Sequence, residues 1–303
     1  MKAAIYSKRG GRKVLEVKDV ERPVPREDEV LVRVLAASVN PLDWRMKAKR
    51  PGMDVAGEVE AVGNKVTRFK AGDAVFGICR GAFAEYVCGR ETSLTLKPES
   101  MSFEQAAAVP IAGLTALQGL RDKGRLQPGQ KVLINGAAGG VGTFAVQVAK
   151  ALGAEVTGVC STKNVERVRE LGADCVIDYT REDFAQGSER YDLVLDNVGN
   201  RSLAAMRGVL KPGGRCVMVG ALKSMRAMFF RVQESLVRSV VLRQNFRFFI
   251  AKMRSDDLTT LGAMISAGRV TPVIDRVYPL EAAAEAIAYV EQGHAPGKVI
   301  ITI

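Results

Sequence analysis

Hydrophobic positions in the first hundred residues come in short runs broken by Gly and Pro. Met1–Ser7, Val14–Val20 and Glu29–Val39 are β-rich. Val30–Leu35 reads VLVRVL, with Arg33 set into an apolar stretch as in a half-exposed strand. Met53–Gly63, Val75–Cys79 and Ala82–Gly89 continue the series, punctuated by turns such as Ala71-Gly72-Asp73. Short strands at this spacing predict a compact barrel or sandwich.

The pattern changes near Ser102. Phe103–Leu120 is Ala-rich and reads as a helix, and LQPGQ then turns the chain. From Lys131 onward strands and helices alternate. KVLING is a strand, Gly142–Leu152 a helix, Glu155–Ser161 a strand and Lys163–Leu171 a helix, and strands follow at Cys175, Tyr191 and Gly214. These strands are unbroken apolar runs, as strands covered on both faces should be. The region therefore reads as α/β, a doubly wound parallel sheet. The tail, with a strand near Ile274, a helix over Glu281–Glu291 and a strand over Lys298–Ile303, could rejoin the first domain.

Composition adds exclusions. The 303 residues are 47% apolar and 25% charged, as in ordinary globular proteins. No apolar run approaches the ~18 residues of a membrane span. The start, MKAAIYSKRGG, lacks the apolar core of a secretion signal, and Cys79, Cys88, Cys160, Cys175 and Cys216 form no Cys-x-x-Cys pair. A reduced, cytoplasmic protein is the expectation. The formal charge of +11 is concentrated in 222–254, where eight Lys and Arg face Glu234 alone. That stretch reads as a solvated helix face, and no nucleic-acid partner is expected; nucleic acid or an acidic membrane are the alternatives.

The strongest single signal is INGAAGGVG, Ile134–Gly142, between a strand and a helix. Ala137, Gly139 and Gly142 occupy the three glycine positions of a dinucleotide-binding turn. Gly139 allows close approach of a pyrophosphate, Gly142 allows close packing of the helix, and the helix start supplies free amides. Ala138, Gly139, Gly140, Val141 and Gly142 are the phosphate-side candidates; a tight turn without ligand is the alternative. After the second strand, Cys160-Ser161-Thr162-Lys163-Asn164 holds no carboxylate for a ribose 2′-hydroxyl. Ser161 and Lys163 suit a 2′-phosphate, so NADP is the expected cofactor, although Ser161 also reads as a helix cap. Gly220, ending the strand GRCVMVG, joins the cofactor candidates.

Other chemistries lack their residues. The only histidine is His294 and no Cys precedes Cys79, so a Cys/His catalytic zinc site in the early strands has no ligands. No tyrosine is followed four residues later by lysine, and there is no Gly-x-Ser-x-Gly elbow.

With these pieces in place the chain resembles the medium-chain dehydrogenase/reductase superfamily, in its zinc-free quinone oxidoreductase branch. The resemblance is carried by ASVNPLDW (37–44), GMDVAGEVEAVG (52–63), GDAVFG (72–77), GAFAEYV (81–87), AAAVPIAGLTAL (106–117), the glycine turn, LGADCVIDY (171–179), DNVG (196–199) and GKVIITI (297–303). It implies a GroES-like domain over 1–105 completed by 270–303, a Rossmann NADP-binding domain over 106–269, and an active site in the cleft between them. Met53 precedes Asp54 where zinc relatives carry histidine. The resemblance also implies that Thr115 and Asn197 border the nicotinamide, that Tyr179 lies against the adenosine and its 2′-phosphate, and that relatives pair through their Rossmann sheets. Only eight residues separate Asp43 from Gly52, where relatives carry a longer segment, often with a tyrosine over the substrate.

The expected activity is zinc-independent hydride transfer from NADPH to a quinone or α,β-unsaturated carbonyl. Metal-free carbonyl/alcohol interconversion and nucleotide-dependent binding without turnover are the alternatives. Asn40 is the candidate donor to the developing substrate oxyanion, and Asp43 orients it or relays a proton. The competing reading has both residues merely closing the turn around Pro41. Ser239–Phe246, read as the last strand of the sheet, predicts a homodimer by edge pairing.

Overall fold

The computed structural model describes residues 1–9, 12–46, 48–219 and 245–303. In chain order the strands are β1 (Lys2–Arg9), β2 (Arg12–Asp19), β3 (Glu29–Val39), β4 (Asp54–Val62), β5 (Ala74–Ile78), β6 (Tyr86–Arg90), β7 (Leu94–Leu96), β8 (Lys131–Asn135), β9 (Glu155–Cys160), β10 (Cys175–Asp178), β11 (Tyr191–Asp196), β12 (Leu210–Val219), β13 (Asn245–Phe249), β14 (Ile274–Pro279) and β15 (Lys298–Thr302). They group into two compact units, one of 1–114, 253–268 and 272–303, the other of 115–252 and 269–271.

In the first unit β14-β15-β3-β4-β5-β7 form a sheet, with β6 also paired to β3 and β1–β2 as a separate hairpin. The barrel-or-sandwich pattern is thus one seven-stranded sheet with an apolar core. Val30, Val32 and Val34 of β3 pack there with Val55, Phe83 and Ile301. The tail rejoins this unit as expected, since β15 pairs antiparallel with β3, Val299 opposite Val39.

The second unit holds a parallel sheet in the order β10-β9-β8-β11-β12-β13. Strand order reverses between β8 and β11, the position where such sheets bind ligands at the carboxyl ends of their strands. Val132, Leu133 and Ile134 of β8 are fully buried, which explains their unbroken apolar run.

Two expectations are corrected. The helix expected over 103–120 is two helices, Phe103–Ala108 and Pro110–Gln118, followed by a π turn over Gly119–Lys123. Pro110 has no N–H to continue a helix, so a new one starts there. A Ser102–Gln105 capping box opens the first. The domain boundary falls at 114/115 rather than 105/106, and 253–268 belongs to the first unit. The helix Ser255–Ser266 lies against β7, with Thr259 and Thr95 hydroxyls 2.8 Å apart and Gly262 leaving room for Pro98. Of the strand expected at 239–246, Ser239–Gln244 lie outside the described residues; Asn245 and Phe246 open β13, parallel to β12. Gly220 and most of the basic stretch also lie outside them.

Candidate active site

In the second unit the chain leaves β8 through Gly136, whose φ of +82° favours glycine. The N–H groups of Gly136 and Ala137 bond Val159 O of β9 at 3.2 and 2.9 Å, folding the turn back onto the sheet. Gly139 caps the helix Gly140–Ala151 with extended backbone. A Cβ on Gly142 would lie 2.0 Å from Gly136 O and 2.7 Å from Ala137 C, so the turn itself requires that glycine. A Cβ on Gly139 would meet nothing of the protein nearer than 3.6 Å. No protein atom crowds Gly139; the space there is free for a ligand. Helix-start amides beside such an opening form an anion site.

The neighbouring strand ends supply the rest. Ser161 follows β9 and its Oγ accepts from Asn164 Nδ2 at 3.1 Å, leaving its own hydrogen to donate; it makes no side-chain cap to the helix behind it. Lys163 is exposed, and Tyr179, whose N–H bonds Cys160 O, is 51% exposed at the adjacent end of β10. One expectation changes here. The stretch 160–164 holds no acid, yet β10 brings Asp178 within 2.5 Å of Thr162 Oγ1. Hydrogen bonds from Thr162 and from the Thr180 hydroxyl and N–H, with Arg181 3.5 Å away, hold this carboxyl below its ordinary range. Those donors occupy Asp178 from its own side of the strand end.

Asn197 sits at the β8/β11 reversal, its N–H bonded to Asn135 O at 3.2 Å. Both polar atoms of its side chain are buried without a hydrogen-bond partner. Its neighbour Asp196 is satisfied by Asn135 and by the N–H groups of Val198 and Gly199. Buried amides seldom stay unsatisfied, so Asn197 marks where a polar ligand group belongs. The glycine opening, the basic strand end and this orphaned amide fit a pyridine dinucleotide. Thr115, in Pro110–Gln118, is buried.

The first unit contains a cluster the sequence only half disclosed. Asp54 is fully buried on β4, Lys298 is 3% exposed on β15, and Ser38, Asn40 and Asp43 are buried beside them. Asp54 Oδ2 accepts from Ser38 Oγ and Asn40 Nδ2, both at 2.8 Å, and from Lys298 Nζ at 3.4 Å; its Oδ1 accepts the N–H of Ile111 at 3.0 Å. Lys298 Nζ also donates to Asn40 Oδ1 at 2.7 Å and Val39 O at 3.3 Å. The second Asn40 amide hydrogen goes to Ser38 O at 3.3 Å.

Asn40 was expected to donate to a substrate oxygen. In this arrangement both its amide hydrogens are engaged, so it acts as a spacer inside the cluster rather than a free donor. Asp43 was expected to orient the Asn40 amide or relay a proton. It binds backbone instead: Oδ2 accepts from Asn40 N at 2.7 Å and Oδ1 from Gly52 N at 3.2 Å. Burial pushes the Asp43 carboxyl up to about 7, with Asp54 adding to the rise and the Asn40 N–H, Lys298 and the Gly52 N–H opposing it. Lys298 had a sequence signal as the lone charge opening β15, and Asp54 as the acid that opens β4 ahead of Glu58 and Glu60, but nothing in the sequence paired them.

The residues do not fit catalytic zinc. Among the described residues no group of three or more His, Cys, Asp or Glu could hold a metal ion. His294 is exposed and Met53 stands before Asp54.

A glycine turn on a doubly wound sheet, joined to a β-domain carrying a buried polar cluster, defines a dinucleotide-dependent oxidoreductase. Residues 26–99 match the alcohol dehydrogenase GroES-like domain family and residues 171–301 the zinc-binding dehydrogenase family. The chain is 34% identical, over 99% of its length and 79% of the relative's, to a 2-methylene-furan-3-one reductase of Solanum lycopersicum. It is 35% identical, over the same shares, to the chloroplastic NADPH-dependent alkenal/one oxidoreductase of Arabidopsis thaliana. The solved quinone oxidoreductase of Coxiella burnetii superposes with a TM-score of 0.88 at 32% identity, covering 100% of this chain and 99% of that one. The chain belongs to the medium-chain dehydrogenase/reductase superfamily, in its quinone oxidoreductase-like branch. It is an NAD(P)H-dependent oxidoreductase acting on small molecules.

Proposed function

We propose that the chain uses NADPH in preference to NADH to reduce a quinone or an α,β-unsaturated carbonyl without metal. The observation that carries the cofactor choice is the β9 end, where Ser161 and Lys163 stand half-exposed and exposed and the stretch 160–164 holds no acid; the nearby Asp178 carboxylate accepts from Thr162 and Thr180. The substrate class is supported by the alkenal/one and quinone oxidoreductase relatives.

When bound, the nicotinamide supplies the hydride. The helix-start amides at Gly140–Gly142 and the open backbone at Gly139 hold the pyrophosphate. Ser161, Lys163 and Tyr179 hold the 2′-phosphate, and the Asn197 amide anchors the end nearer the reversal. The proton that completes reduction comes from solvent.

Fluorescence titration should give a lower Kd for NADPH than for NADH. Lys163→Ala should erode the difference by on the order of 1–3 kcal/mol, the scale of one charge-assisted contact. Equal Kd values in the unmodified protein would sink the assignment. Turnover, followed by NADPH absorbance with quinones, enones and ketones in parallel, should survive exhaustive chelation, because no ligand set is at hand. Chelator-sensitive turnover together with stoichiometric zinc would overturn metal independence. Turnover of ketones alone would move the reading to carbonyl/alcohol interconversion.

A further inference from the structure

We propose that Asp43 is a positioning residue that fixes both ends of the Asn40-to-Gly52 connection, and that Asp54 and Lys298 act on catalysis through it. The inference deepens the oxidoreductase reading above and rests on it.

One carboxylate spans the connection. Asp43 bonds the N–H of Asn40 before it and the N–H of Gly52 after it. Gly52 has little freedom of its own. Its φ is +94°, its carbonyl accepts from Gly81 N and Ala82 N, and a Cβ there would strike Phe83 at 2.6 Å. Lys49 O accepts from Tyr6 N at 2.9 Å, tying the middle of the connection to β1. The clamp therefore requires a carboxylate with both oxygens free to accept. Protonation puts a hydrogen on one of them and weakens acceptance at that end.

Two charged groups bear on Asp43 from the elements packed around it, Asp54 on β4 and Lys298 on β15, while burial, Asp43 and Glu291 in turn raise the Tyr6 hydroxyl on β1. Lys298 favours the charged carboxylate and Asp54 disfavours it. Asn40 links the two arms physically, since its backbone N–H serves Asp43 while its side chain lies between Lys298 and Asp54. The buried pair thus biases the charge of the clamp in opposite directions, on top of the larger effect of burial, and the Asp54–Ile111 bond ties the same pair to the start of Pro110–Gln118, the helix that carries Thr115.

The chain has a single tryptophan, Trp44, next to Asp43. Its fluorescence reads the clamp without cofactor or substrate. In a His294→Asn background, where no imidazole titrates, emission against pH should show a transition near 7. The transition should vanish in Asp43→Asn, move to higher pH in Lys298→Met and to lower pH in Asp54→Asn, by about half a pH unit or more, as expected when one nearby buried charge is removed. The acid limb of kcat/KM for NADPH with a benzoquinone should move in the same directions, with Kd for NADPH unchanged. A purely architectural role for the pair predicts no opposite displacements. If Lys298→Met fails to fold, the downward movement in Asp54→Asn carries the test alone. A transition that persists in Asp43→Asn, or stays in place in Asp54→Asn while the protein turns over, overturns the inference. Absence of quinone-dependent NADPH oxidation in the unmodified protein overturns the underlying reading instead.

Discussion

Lys298→Met is expected to destabilise the β-unit by about 3–5 kcal/mol, the range for removing one partner of a buried ion pair. Lys298 is 3% exposed and Asp54 0%, so the carboxylate left behind could not be hydrated. Ser38, Asn40 and the Ile111 N–H would still donate to it, but none carries charge. Asn40 Oδ1 and Val39 O would lose a donor at the same time. The double variant Asp54→Asn/Lys298→Met should cost clearly less than Lys298→Met alone, because it leaves no uncompensated charge. Chemical denaturation followed by Trp44 emission reports on the unit that contains the pair. Equal losses in the single and double variants would show that packing of the lysine stem matters and its charge does not.

Asp43 contributes to the same unit with a definite pH dependence. Its carboxyl titrates higher in the folded chain than the ordinary 3.8, so folding favours its protonated form. The associated stability is complete below about pH 4 and is lost as pH rises to about 7. Function on this account uses the charged form, which the fold holds at some cost.

Gly142→Ala should abolish dinucleotide binding, and Gly139→Ala should weaken it by a different route. At Gly142 the added methyl would sit 2.0 Å from Gly136 O and 2.7 Å from Ala137 Cα. Both obstacles are backbone, so the turn must open. Overpacking of this kind costs about 1–3 kcal/mol and shifts the amides that face the phosphates. At Gly139 the nearest protein atom is 3.6 Å away, an ordinary contact. That variant should melt like the parent and yet bind NADPH at least about tenfold more weakly, because the methyl stands where the ligand approaches. Paired melting and titration experiments separate the two. Undiminished NADPH affinity in Gly139→Ala would remove the pyrophosphate from this turn.

Much of this molecule is legible in its sequence. Period and turn residues determined the two kinds of domain, because an apolar run such as Val132–Ile134 can be buried on both faces only inside a covered parallel sheet. The glycine spacing at 136–142 determined the tight turn between β8 and its helix, because its cause is local: backbone contacts between residues a few positions apart. The single late histidine and the lack of any cysteine before Cys79 leave the early strands without Cys/His ligands for zinc, which made metal independence the expectation. What only the tertiary structure decided depends on residues distant in sequence. Asp178 meets Thr162 because β10 pairs with β9, which supplied a carboxylate that the stretch 160–164 lacks. Lys298 meets Asp54 and Asn40 because β15 and β4 flank β3, across a separation of 244 residues. That pairing, and not the identity of Asn40, decided that its amide faces inward. A local pattern can state which side chains a turn contains, but strand pairing decides which charges they meet when buried, and the charges set their chemistry.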